Sequence, residues 1–165
     1  MNAMRFVRRG ATAVVLGCAV ASSQAAAQER AWTTWEVNVR DDLSGRRVVV
    51  SSQAIGATST GPFVALTCTR DYRRGQFRDG QVHTYQVFEP MFKIDDEPTV
   101  TFQHIGTRPQ GITFSDGYEE LADGLRRGSV LRYSMSGGPT ITAPLRGSTA
   151  AMARYDEVCA EIVGD

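Results

Sequence analysis

The chain has 165 residues, with 18 basic and 18 acidic side chains, 42% hydrophobic residues, 16 glycines, 6 prolines and 3 cysteines. This composition is typical of a globular protein and excludes disordered, collagenous and multi-pass membrane classes. The charge balance provides no basic surface for nucleic acid, and a single lysine, Lys93, provides no polybasic membrane patch.

The N-terminal segment has the three parts of a secretory signal. Three arginines precede an apolar run of 11 residues, and three consecutive alanines follow it. We expect cleavage after Ala27, so that residues 1–27 are a signal peptide and residues 28–165 form a single β-rich domain in the periplasm or outside the cell. Without the leader, 15 basic and 18 acidic side chains remain, a net charge of −3. The leader arginines are Arg5, Arg8 and Arg9.

A lipid anchor at Cys18 is the second interpretation of the leader. Residues 15–18, Val-Leu-Gly-Cys, resemble a lipobox, in which Cys18 would be lipidated and become the first residue. The alanine-rich stretch favours ordinary cleavage instead. No membrane span is predicted in either case, because a transmembrane helix needs roughly 20 apolar residues.

The first predicted elements of the domain are strands. Alternating apolar residues predict a hairpin with strands over 32–39 and 46–53 around a turn at 41–45. A third strand is expected over 63–69. Cys68 belongs to the apolar face of that strand and is therefore expected to point inward.

Residues 71–80 are predicted to form a charged loop, which is the candidate partner-binding site. Arginine and aromatic side chains, which are enriched where proteins contact partners, are concentrated in and next to this segment. A solvated hairpin tip is the competing interpretation. The candidate contact residues are Arg70, Tyr72, Arg73, Arg74, Phe77 and Arg78.

Strands over 81–88, 91–94 and 99–105 are predicted next, followed by one short helix. Asp116, with a glutamate three residues later, resembles a capping box at the start of this helix, and Gly128 is expected to end it.

The last predicted elements are a second hairpin and a C-terminal helix. Strands are expected over 130–135 and 140–145. Ser148 is expected to cap a helix whose apolar stripe includes Cys159, and that stripe must pack on a sheet.

Export would leave two cysteines, Cys68 and Cys159, in an oxidising compartment, which favours one disulfide between them. Closing a loop of about 90 residues would stabilise the fold by roughly 4 to 5 kcal/mol in the chain-entropy model. A redox or metal-binding pair is the alternative, but no Cys-x-x-Cys spacing supports it. The expected fold is mainly β, as a β-sandwich or a curled antiparallel sheet, with one short helix and a C-terminal helix packed on the sheet.

No catalytic constellation can be identified in the sequence. His83 and His104 lack the ligand spacing of a metal site, and the acidic residues 95–97 suggest a solvated turn. There is no Gly-x-Ser-x-Gly motif, and the glycine-containing stretch 56–61 is followed by Pro62 rather than by a phosphate-binding Lys-Ser or Lys-Thr pair. We therefore predict no catalytic residue, metal or cofactor.

The order of landmarks resembles the TagO-like (VasI-type) type VI secretion-associated proteins and other small secreted bacterial envelope proteins. The similar pieces are an opening tryptophan strand, a strand ending Leu-Thr-Cys at 66–68, Phe-Lys-Ile-Asp-Asp-Glu-Pro at 92–98, and Ile-Thr-Ala-Pro-Leu-Arg-Gly-Ser at 141–148 before the last helix. The resemblance implies an exported, non-catalytic accessory protein in which Cys68 and Cys159 are a structural pair. An arginine-rich segment 71–80 and a proline inside the strand before the last helix depart from the family pattern.

Two functional hypotheses follow. The first is an exported envelope accessory or protein-interaction module, associated with a secretion system, whose partner is an envelope protein. The alternative is a small metal-dependent or hydrolytic periplasmic enzyme that uses His83, His104 and nearby acids, which requires the two histidines to converge in one cleft.

Overall fold

The residues that the structure describes fold into antiparallel sheets with two helices, which confirms the predicted mainly β class. In this computed structural model, the described residues are 31–43, 45–56, 61–80, 87–102, 104–105, 111–135 and 138–164.

The larger sheet has five strands in the spatial order β1-β2-β3-β4-β9. The predicted first hairpin and third strand form its first three strands, since alternating apolar residues there fit a sheet with one buried face. The strands are β1 (Glu36–Asp42), β2 (Gly45–Gln53), β3 (Phe63–Thr69), β4 (Arg73–Arg78) and β9 (Ile112–Phe114).

The prediction that residues 71–80 form a loop is wrong, because most of this segment is strand β4. Gly75 and Phe77 are buried and alternate with more exposed polar residues, which is the period-two pattern of a strand with one buried face. The many arginines of the segment obscured that pattern.

The second sheet has four strands in the order β11-β10-β6-β7 and contains the predicted second hairpin. Pro144 ends the edge strand, a position that proline tolerates because no further strand needs its missing N–H. The strands are β6 (Met91–Ile94), β7 (Val100–Thr101), β10 (Val130–Ser134) and β11 (Ile141–Pro144).

The strand predicted over 99–105 is divided between two sheets. Its first part is β7, whereas its last part, β8 (His104–Ile105), pairs with β5 (Val87–Phe88) in a separate two-stranded ladder. Residues 81–86 of the preceding predicted strand lie outside the described residues.

The two larger sheets share one core of aromatic rings. Phe77 of β4 stacks on Tyr133 of β10 at 4.6 Å between ring centroids, and it meets Phe92 of β6 edge-on at 5.7 Å. Such pairs add about 0.5–1.5 kcal/mol each beyond the burial of their area. The buried face of the five-stranded sheet is therefore also the face on which the four-stranded sheet packs.

Helix α1 (Tyr118–Arg127) begins differently from the prediction and ends as predicted. Gly117, at φ 77°, precedes its first turn without a side-chain cap, so Asp116 lies one residue too early to form the predicted capping box. Gly128 ends the helix and donates its backbone N–H to the carbonyl of Gly124. The glycine at the N-cap is favoured because a left-handed conformation strains residues with a Cβ atom.

Helix α2 (Ser148–Gly164) packs on β2 and β3 and is joined to them covalently. The predicted disulfide links Cys68 of β3 to Cys159 of α2, with 5.8 Å between their Cα atoms, and both residues are buried. Ser148 begins the helix as expected. Its hydroxyl, however, lies near the carbonyl oxygens of Leu125 and Leu145, at 2.5 and 2.7 Å, rather than capping the helix N–H groups.

The two helices are also held to each other. The Arg126 guanidinium donates two hydrogen bonds of 2.9 Å to the Asp156 carboxylate, an arrangement that raises the pKa of Arg126 above its usual value. The hydroxyls of Tyr118 and Tyr155 are hydrogen-bonded at 2.9 Å in the buried contact between the helices. Neither helix is both long and apolar enough to cross a membrane.

Candidate functional site

The five-stranded sheet presents two faces of opposite character. Residues that pair directly across antiparallel strands lie on the same face, so the register assigns each side chain to one of them. The pairs Val48–Cys68 and Val64–Phe77 belong to the inner face, which packs on the helices and the second sheet. The pair Phe63–Arg78 belongs to the outer face.

Arginines on the inner face support the helices. Arg46 forms an ion pair of 3.6 Å with Glu161 of α2, and Arg73 forms one of 3.8 Å with Glu119 of α1. Both arginines are partly exposed, so each pair contributes only about 0–1 kcal/mol. Their place in the fold is at the border between sheet and helices.

The outer face carries a set of arginine and aromatic side chains that we call the arginine face. The register places Arg40 opposite Arg47 on β1 and β2, and Arg74 opposite Thr67 on β4 and β3. Glu36 also lies on this side, at the edge strand β1. The arginine face consists of Arg40, Arg47, Arg74, Arg78, Phe63 and Tyr72.

Two of these guanidinium groups are stacked on aromatic rings. Arg74 Cζ lies 4.2 Å from the ring centroid of Tyr72, and Arg78 Cζ lies 4.1 Å from that of Phe63. Arg74 is exposed, whereas Arg78 is half-buried and its Nε atom is shielded from solvent. An arginine that rests on a ring can still donate from the edge of its guanidinium to a carboxylate or phosphate. Partial burial lowers the pKa of Arg78 from its usual value, yet an arginine stays protonated in proteins.

The structure divides the six predicted contact residues among four places. Tyr72, Arg74 and Arg78 lie together on the arginine face, and Arg70 is exposed in the turn between β3 and β4. Phe77 is fully buried in the core and cannot contact a partner, so its assignment to a binding loop is wrong. Arg73 points to the opposite face, toward Glu119.

The sequence analysis missed Phe63, Arg47 and Arg40 as members of the same surface. They lie on three different strands, and only the strand register places them on the same face as the outer residues of β4. A signal was available in the alternation of each predicted strand, which shows which of its residues point outward. To find the surface, the outward residues of several strands must be combined, and a search within one segment does not do this.

The side chains of the two histidines in the enzyme hypothesis fall outside the part of the chain that the structure describes. His83 lies outside the described residues, and His104 belongs to β8, where its side chain is also outside them. Among the described residues, no group of three or more histidine, cysteine, aspartate or glutamate side chains is arranged to hold a metal.

The predicted acidic turn at 95–97 has a structural role at Asp95. Its carboxylate accepts hydrogen bonds of 2.9 Å from the backbone N–H groups of Ser129 and Val130, which fixes the end of α1 to the second sheet. Asp95 has φ 46°, a left-handed conformation that aspartate tolerates better than most residues.

A search against protein-family models, curated proteins and solved structures gives no match to this chain. The resemblance to TagO-like secretion-associated proteins therefore stays a prediction from the sequence.

Proposed function

We propose that the protein is an exported, non-catalytic interaction module that binds an acidic surface of an envelope protein through its arginine face. The observation that carries this proposal is the pair of guanidinium groups stacked on Tyr72 and Phe63. Stacking restricts the long arginine side chains before a partner arrives.

Prior restriction of a side chain favours binding. Immobilising a free side chain at an interface costs about 0.5–1.5 kcal/mol, and the rings reduce that cost for Arg74 and Arg78. Arginine, tyrosine and other aromatic residues are also the side chains that most often dominate the binding energy of interfaces. Phe63, Arg74 and Arg78 belong to the paired strands β3 and β4. Tyr72 lies in the short turn between them, where its carbonyl accepts a hydrogen bond of 2.9 Å from the backbone N–H of Thr69.

Further support comes from the different contacts that the two faces of the five-stranded sheet make. Both helices, the second sheet and the disulfide engage the inner face, so the outer side chains are not needed to close the core. Of the charged side chains on this face, Arg40 and Arg74 are exposed, as contact with a partner requires.

Export is supported by the signal-like leader and by the disulfide, since disulfides persist mainly in oxidising compartments. Association with a secretion system follows from the resemblance to TagO-like proteins and is proposed on that ground alone.

The proposal is tested by capture from the envelope fraction with matched variants. The tagged protein and the double variant Arg74→Glu, Arg78→Glu are compared for the proteins that they retain. We expect at least one acidic protein to be retained by the wild type and reduced at least tenfold by the variant. Its retention should also fall as salt is raised, because exposed charge pairs are screened.

The matched control carries the same charge change elsewhere, as Arg146→Glu and Arg154→Glu, both exposed and away from the outer face. It should retain the partner as the wild type does. Equal loss in both variants would mean a response to net charge alone, and full retention by the arginine-face variant would refute the proposal.

A further inference from the structure

A second concave surface lies outside the five-stranded sheet. It is a groove of about 330 Å³ between helix α1 and the β6–β7 region of the second sheet. This volume is at the lower end of the range for ligand sites in proteins. No residue of the arginine face lines it, so the groove is a separate feature.

The rim of the groove is strongly acidic. Four carboxylates line it, from Asp95, Glu97, Glu120 and Asp123, against one guanidinium from Arg127. The groove also follows α1 toward its C-terminus, where unpaired carbonyls carry partial negative charge.

Two of the four carboxylates are available to a ligand. Asp95 is occupied by two backbone N–H groups, and Asp123 is paired with Arg126 and Arg127. Glu97 and Glu120 are exposed, and no ion pair joins either of them to a described residue.

The floor of the groove is apolar. Ile94, Pro98 and Val100 line the groove together with Glu97 of the turn after β6 and Glu120 of α1. Gly124 permits this arrangement, because a Cβ atom there would lie 2.4 Å from Ile94 Cγ1. A glycine inside a helix costs about 1 kcal/mol relative to alanine, so the close approach of α1 to β6 accounts for its presence.

We infer that this groove binds a lysine or arginine side chain of an extended partner segment. The aliphatic stem of such a side chain matches the apolar floor, and its cationic end matches Glu97 and Glu120. Long basic side chains bury their stems on apolar surface while their charge stays at a polar rim. The rim carboxylates would repel an anionic ligand. A neutral apolar ligand would leave them without a cationic partner.

The test is an NMR titration of the isotope-labelled protein with three capped tripeptides. The central residue is lysine, arginine or norleucine, the last of which keeps the stem and lacks the charge. We expect saturable shifts of the Gly124 and Gly128 amides, with affinity for the lysine or the arginine peptide at least fivefold higher than for the norleucine peptide. Equal affinity for all three peptides would overturn the inference.

Neighbouring glutamates provide the matched control. Glu120→Gln should weaken binding of the better cationic peptide at least threefold, whereas Glu119→Gln, which removes the same charge beside Arg73, should not. Equal weakening by both variants would overturn the inference, because it would indicate a general charge effect. Since the arginine face takes no part in this test, its outcome is independent of the proposed function.

Discussion

The two faces of strand β4 differ sharply in what they contact. Side chains on the inner face are Arg73, Gly75 and Phe77, and those on the outer face are Arg74, Gln76 and Arg78. Arg73 contacts helix α1, and Phe77 contacts three rings of the core. The comparison shows that one six-residue strand can hold the fold together on one side and present a candidate binding surface on the other.

Gly75 shows how tightly the inner face of β4 is packed. A Cβ atom at this position would lie 2.4 Å from the ring of Phe114, which covers the glycine and meets the ring of Phe77 at a tilt, with 4.9 Å between centroids. On the outer face of β4, by contrast, the guanidinium groups of two arginines lie over neighbouring aromatic rings. Substitutions on the two faces should therefore have separable effects.

The largest expected difference is between Phe77→Ala and Gln76→Ala. Removal of the buried ring should lower the free energy of unfolding by about 3–5 kcal/mol, since it leaves a cavity among three aromatic neighbours. Truncation of the adjacent outer residue should change it by no more than about 0.5 kcal/mol. Denaturant unfolding measures both, and similar losses would end the distinction between the faces.

Loss of the disulfide should be the next largest effect on the inner face. Replacement of Cys68 and Cys159 by serine should lower stability by about 2–5 kcal/mol, because 91 residues separate the two half-cystines. Thermal unfolding of the oxidised wild type against the double variant measures this. An unchanged melting temperature would mean that the crosslink does not fasten α2 to β3.

A smaller effect is expected from the buried tyrosine pair. Burial raises the pKa values of Tyr118 and Tyr155 above the usual value near 10, so the folded protein holds their protons more tightly than the unfolded chain. The contribution of the protonated tyrosines to the free energy of unfolding is fully present below about pH 10, and it is lost as the pH rises further. Tyr155→Phe should cost about 1 kcal/mol at neutral pH and flatten the alkaline decline. An equally steep decline in the variant would contradict this account.

The smallest stability effects, and the sharpest test of function, come from adjacent arginines. Arg73→Ala and Arg74→Ala should each lower stability by less than about 1 kcal/mol, because the groups are at the surface. Only Arg74→Ala should weaken partner binding, since Arg73 faces Glu119. Equal binding by the two variants would mean that the direction of the side chain does not matter.

Much of the fold was predictable because it depends on local patterns. Both hairpins, the helix stop at Gly128 and the disulfide follow from alternation, from turn residues and from the two cysteines outside the signal-like leader. Strand β4 was missed because four of its six residues are polar or charged, and its pairing with β3 outweighs that composition. The true helix start, at a left-handed glycine, depends on tertiary packing around Gly117.

The candidate sites were less predictable than the fold. Tyr72, Arg74 and Arg78 were identified as contact residues, but Phe63 and Arg47 join them only through register between strands. The groove requires residues of β6 and α1, about 30 positions apart, to meet. Contacts between segments so far apart in the chain cannot be predicted from the residue pattern of either segment alone.

Photocrosslinking at the centre of the arginine face tests the central claim most directly. A photoreactive phenylalanine analogue at Gln76 lies between Arg74 and Arg78, and the same probe at Glu157 reports on the exposed side of α2. The account predicts a product with an acidic envelope protein from position 76, absent from position 157 and abolished by Arg74→Glu with Arg78→Glu. The absence of any product from position 76, or its persistence in the charge-reversed background, would contradict the account.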